Sequence, residues 1–193
     1  MSRGGWILLA GVLLLGALAQ DPPPPSPPSP RGEVLAPNAL ESFLKGAKEE
    51  VLVLTVTATH EPLMRPLWDL VRKGVRVRVL GTKQAVESPT SYFVPLAFLS
   101  LRYANLEVKV LGGSKVDPRV LVDRRYMLVG PPLEGVPPEV AGPLLLFTDP
   151  EALRAELQRF EAYWALAPYC APQARYEPAR GVVATCLPSP SKR

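Results

Sequence analysis

Cysteine and histidine are scarce in this 193-residue chain, which has two of the former and one of the latter. Two cysteines and one histidine cannot fill a closed tetrahedral set, so neither a structural zinc site nor any other metal is expected. The sequence also lacks a Gly-rich phosphate loop and a serine–histidine–acid arrangement. P-loop nucleotide chemistry and serine hydrolysis therefore leave the field, and no cofactor is expected. Nor is there an excess of one charge. Lys+Arg number 22 against 18 Asp+Glu, for a formal net charge of +4, too mild to be the footprint of a strong nucleic-acid binder. Long apolar runs are missing as well: the stretch from Trp6 to Leu18 is shorter than the roughly 20 residues that span a bilayer.

What is there begins with that apolar stretch. Arg3 and the α-amino group precede it, and Ala17-Leu18-Ala19 supplies small residues where a signal peptidase requires them. Residues 1–19 are expected to be a secretory signal peptide, cleaved after Ala19. The alternative is an uncleaved segment that tethers the protein to the membrane. No cysteine stands at the cleavage point, which argues against a lipid anchor. The protein is expected to be exported, to the periplasm or the extracellular space.

Proline is abundant, with 24 residues, and crowds into DPPPPSPPSP at 21–30. Proline fixes φ and removes the amide donor, so residues 20–32 are expected to form a semi-rigid polyproline II linker. Residues 33–186 then suit one folded domain, and 187–193 a disordered tail. Cys170 and Cys186 both fall near the end of the domain. In an oxidising compartment they are expected to form a disulfide, two free thiols being the alternative.

Within the domain, hydrophobic spacing predicts a helix over 38–48, with Asn38 and Glu41 as a capping box. The uncharged run 51–59 predicts a strand covered on both faces. A helix starting at Pro62 or Pro66 and ending at Lys73-Gly74 leads directly into a strand at 75–81, a βαβ unit with parallel strands. A helix within 89–103, kinked at Pro95, precedes a third strand at 106–112. Residues 120–130 predict a hairpin turning at Asp123-Arg124-Arg125, 144–148 a strand, and Asp149-Pro150 the start of a long helix with Leu153, Leu157, Phe160 and Trp164 on its buried side. Arg76 and Arg78 alternate within the second strand and are expected at its ends or snorkelling to solvent.

This order of elements, with SFLKGAKEEVLVLTVTA (42–58), LWDLVRKGVRVRVLG (67–81), VLVDRRYMLVG (120–130) and LLLFTDPEALRAELQRFEAYW (144–164), resembles one half-unit of the phospholipase D superfamily. The resemblance covers about residues 34–166. It implies an α/β domain with a mainly parallel central sheet and helices on both faces. In that superfamily the chemistry sits on H-x-K-x4-D, histidine attacking phosphorus and lysine stabilising the phosphoryl oxygens. Matched to this chain, the motif's histidine falls on Val116, its lysine on Pro118 and its aspartate on Asp123, and Pro131-Pro132-Leu133 replaces the polar segment after Gly130.

The resemblance therefore implies a pseudoenzyme: a catalytically degenerate binding or assembly module for phosphodiester-containing ligands or partner proteins. The ligand would be an anionic lipid or a nucleic acid, and a homodimer would use the family's pairing surface. Arg119, Arg124 and Arg125 are the candidate ligand-binding residues. Two alternatives remain. One is an active phosphodiesterase of phospholipase or nuclease type with a non-standard site, for which His60 and Asp123 are the catalytic candidates. The other is a structural envelope protein. Asp123 also suits a hairpin turn through local backbone hydrogen bonds.

Overall fold

The computed structural model describes residues 32–112, 116–179 and 181–191. The expected signal peptide and the proline linker as far as residue 31 lie outside the described residues. Strand β1 (Glu33–Leu35) is followed by a 3-10 turn (Pro37–Ala39) and helix α1 (Leu40–Lys45). The expected capping box is corrected here. Asn38 lies inside the 3-10 turn, and α1 starts from Ala39 with no side-chain cap.

Strand β2 (Glu50–Thr55) is buried along its whole length, as its apolar run on both parities requires. Helix α2 (Glu61–Arg72) carries Leu63, Leu67, Leu70 and Val71 into the core and ends at Gly74, whose φ of +86° is the left-handed conformation that stops a helix. Strand β3 (Arg76–Thr82) follows. The helix expected within 89–103 is α4 (Phe93–Ser100), and a short helix that was not expected, α3 (Lys83–Glu87), precedes it. Pro95 lies in the first turn of α4, where a missing amide donor breaks no helical bond. Strand β4 (Leu106–Leu111) completes the parallel set.

The remaining strands return antiparallel. β5 (Arg119–Val122) and β6 (Tyr126–Val129) form the expected hairpin. A 3-10 turn (Pro131–Glu134) and the short helix α5 (Pro138–Ala141) lead to β7 (Leu144–Phe147). Helix α6 (Pro150–Leu166) is capped by Asp149, which accepts from the Ala152 amide at 2.8 Å. Strands β8 (Tyr169–Glu177) and β9 (Gly181–Ser189) close the chain.

Among the described residues nine strands form one sheet in the order β1-β7-β6-β5-β2-β3-β4-β8-β9. Of their pairings, only β2–β3 and β3–β4 are parallel; the other six are antiparallel. The expectation of a mainly parallel sheet is thus corrected to a large mixed one. A parallel pair needs a crossover of a dozen or more residues, and only α2 and the α3–α4 segment supply one. The tail is corrected too: Leu187, Pro188 and Ser189 pair with Ala171, Cys170 and Tyr169. The disulfide Cys170–Cys186 joins these two strands.

Helices lie on both faces. Val51, Val53, Val77, Val79 and Val120 face α1, α2 and α4, while Leu52, Leu54, Leu80 and Leu121 face α6 through Leu153, Phe160 and Trp164. Gly81 admits the Phe93 ring against β3, since a Cβ there would lie 2.3 Å from it. Together the two layers fix the end of the sheet at which β2, β3 and β4 all finish, the carboxyl edge where open α/β sheets place ligands.

Candidate functional site

At the carboxyl edge β2 ends because a carboxylate takes over its donors. Glu134, the last residue of the 3-10 turn, accepts from Thr55 Oγ1 at 2.7 Å, Val56 N at 2.7 Å and Thr57 N at 2.8 Å, and also from Thr57 Oγ1. Thr55 Oγ1 in turn accepts from Ala58 N, and Thr82 Oγ1 of β3 donates to Val56 O at 2.8 Å. The strand expected over 51–59 is cut at Thr55 by this arrangement. Gly130 places the turn: with φ at +142°, a Cβ would lie 2.6 Å from Pro143 O. Hydroxyls and amides converge here on one carboxylate.

His60 stands at the N-cap position of α2, with no side-chain capping bond, beside this cluster. Its ring packs against Gly135, whose φ of +79° is left-handed, and lines a cavity of about 280 Å³ with Leu40, Pro132, Val136 and Leu144. Burial pushes the imidazole below its ordinary pKa, only partly offset by the nearby Glu134 charge, so His60 is a neutral ring in a mainly apolar pocket.

The positions matched to the motif histidine and lysine lie at the same edge. Arg119 pairs with Leu54 of β2, which sets Pro118, one residue earlier, at the end of the strand. Val116 packs on the α6 side of the core. Arg119 itself is neutralised: its guanidinium pairs with Glu156 of α6 and, at 3.3 Å, with Asp117. Glu156 is only 5 % exposed and also takes Arg159 at 3.0 Å. A recess of about 110 Å³ remains between these groups.

Asp123 lies at the opposite, amino edge. Asp123 and Arg124 have left-handed φ of +50° and +57° in the turn that joins the paired Val122 and Tyr126. The Asp123 carboxylate, however, reaches across to the start of β2, accepting from Glu49 N at 2.8 Å, Glu50 N at 3.0 Å and Lys48 N at 3.0 Å. Burial acts to raise its pKa, and these three amides outweigh it and hold the carboxyl below its ordinary range. The whole of β2 separates His60 from Asp123, roughly 20 Å of extended chain.

Arg124 donates to Glu50 at 3.0 Å. Glu50 also takes Arg78, which is bidentate to Glu161 at 2.9 and 2.6 Å and lies over the Phe160 and Trp164 rings. Arg78 is only 4 % exposed, so the expectation that it snorkels is corrected. Arg76, 55 % exposed, does stand at the strand start. Sequence reasoning missed Glu50, Glu134, Glu156 and Glu161. The one available signal was Arg78 in a strand covered on both faces, since a buried guanidinium demands carboxylate partners. Among the described residues no group of three or more His, Cys, Asp or Glu could hold a metal ion.

The mixed sheet, with three parallel strands at its centre, two βα crossovers and a long helix across the opposite face, is similar in fold to a solved phospholipase D family member. NucT from Helicobacter pylori superposes with a TM-score of 0.56 at 18 % identity, over 67 % of this chain and 87 % of that one. Nuc from Salmonella typhimurium, a phospholipase D family member, gives 0.57 at 15 % identity, over 73 % and 93 %. TrmBL2, an archaeal chromatin protein with a novel mode of DNA binding, gives 0.52 at 17 % identity over 71 % of this chain and 51 % of its own. No family model matches the sequence and no curated protein is similar to it.

Proposed function

We propose that this chain is an exported phospholipase D-like domain without catalytic activity, a binding or assembly module for phosphodiester-containing ligands. The observation that carries the reading is Glu134. The donors at the end of β2, which could hold a phosphoryl group, are already saturated by an internal carboxylate. Val116 and Pro118 offer neither nucleophile nor charge, and Arg119 is committed to a buried carboxylate. The export signal, the proline linker and the single-domain division at 33–186 belong to the same proposal. The Cys170–Cys186 disulfide supports it, because such bridges persist in oxidising compartments.

TrmBL2 provides a precedent, by its description, for a protein of this fold that binds DNA. Purified protein is expected to leave bis(p-nitrophenyl) phosphate intact while binding anionic vesicles or DNA in a salt-sensitive way. Hydrolysis abolished by His60→Ala would overturn the loss of chemistry and restore the enzyme reading. Absence of binding to both polyanions would leave a structural role.

A further inference from the structure

The guanidinium groups of this domain are mostly spent on carboxylates, as Arg78, Arg119, Arg124 and Arg159 show. Arg125 and Arg154 differ. Among the described residues neither makes an ion pair, and both are exposed. They stand, with Arg124, on the rim of an open groove of about 420 Å³ where the β5–β6 turn meets the start of α6. Leu121 and Leu153, both in the core, and the half-buried Leu157 form its floor. The groove is at the amino edge, away from Glu134.

We infer that this groove binds a single-chain anionic amphiphile, its head held by Arg125 and Arg154 and its chain lying along Leu121, Leu153 and Leu157. This rests on the binding-module reading and names the ligand class and the site. Three features decide it. The unpaired positive charge complements an anionic head, and guanidinium groups grip phosphate oxygens in pairs. Arg124 is held at the rim by its ion pair with Glu50, which leaves Arg125 and Arg154 as the groups that hold the head. The leucine floor suits a hydrocarbon chain, whereas single-stranded nucleic acid calls for aromatic stacking platforms, and the groove lining has no aromatic residue. Its volume falls within the range of about 300–1,000 Å³ usual for small-ligand sites.

The test is calorimetric titration of the purified protein with lysophosphatidylglycerol below its micelle concentration. The controls are lysophosphatidylcholine, glycerol 3-phosphate and a single-stranded oligonucleotide. Lysophosphatidylglycerol is expected to bind tightest. The double variant Arg125→Glu, Arg154→Glu is expected to weaken it by about tenfold or more, with an unchanged circular dichroism spectrum. Arg72→Glu, on the opposite face of the sheet, is expected to leave it unchanged.

Full affinity in the double variant, or equal loss in Arg72→Glu, overturns the groove while leaving the module reading intact. Equal binding of glycerol 3-phosphate overturns the amphiphile. Oligonucleotide binding lost in the double variant, with no lysolipid binding, makes the groove a nucleic-acid site and overturns the lipid. No binding of any probe sinks the module reading together with the groove.

Discussion

Replacing Asp123 by asparagine separates the charge of this side chain from the backbone geometry it occupies, because asparagine tolerates the left-handed φ of +50° almost as well. Only the charge-assisted bonds to Lys48, Glu49 and Glu50 amides are weakened. Such bonds contribute about 1.5–3 kcal/mol when well formed. At this partly exposed turn a loss of about 1–2 kcal/mol is expected from Asp123→Asn in urea unfolding. The pH dependence follows from the lowered pKa. A carboxyl depressed in the folded state stabilises fully above its unfolded pKa, near pH 4, and loses that contribution as pH falls through the folded value. The melting temperature of the unaltered protein should therefore drop more steeply below pH 4 than that of Asp123→Asn. Asp123 was legible in the sequence as a turn residue, because turn chemistry is local. Its partners were not, since they lie more than seventy positions away. Glu134 was hidden for the same reason, in a Pro-rich stretch with no period to read.

The central elements were legible because each has a strong signal: β2 by its apolar run, β3 by the alternating valines that follow Gly74, α2 by its stripe, and α6, across the sheet, by Asp149-Pro150. The β8–β9 hairpin was not. Residues 169–189 show no clean alternation, and Tyr176 and Val182 are 72 % and 74 % exposed, so burial cannot dictate the pattern. Its order comes from elsewhere. Lys109 of β4 donates to Trp164 O at 2.8 Å and sits over the Trp164 and Tyr169 rings, joining β4, α6 and β8. The disulfide closes a loop with a sequence separation of 16, for which chain entropy gives on the order of 3 kcal/mol. Cys170→Ser with Cys186→Ser should therefore raise amide exchange along β8 and β9 first. Protection in β2 and β3 should be retained. Simultaneous loss of protection in all four strands would show the hairpin to be part of the same cooperative unit.

At the scale of the molecule, the sequence resemblance implied the right superfamily fold but an over-parallel sheet. Of the four segments that carry the resemblance, 42–58 and 67–81 supply the parallel centre, whereas 120–130 and 144–164 supply antiparallel strands whose direction the resemblance did not specify. Val116 and Pro118, where the resemblance would put a histidine and a lysine, carry neither nucleophile nor charge, which the sequence alone makes plain. The closure of the edge by Glu134 was not legible there, and it governs how the molecule as a whole answers to change. Restoring Val116→His and Pro118→Lys together should leave bis(p-nitrophenyl) phosphate unhydrolysed while Glu134 remains, as measured by nitrophenolate release. Turnover in that variant would mean that the donors at the end of β2 are still open to substrate. Removing Glu134 strips partners from Thr55, Val56 and Thr57 in a largely buried site, a loss of about 1–3 kcal/mol or more for the groups left unmatched. In mechanical terms Glu134 works as a clasp. One carboxylate ties the 3-10 turn after β6 to the end of β2 through the donors of Thr55, Val56 and Thr57, so a shift of that turn is transmitted directly to the edge of the central sheet.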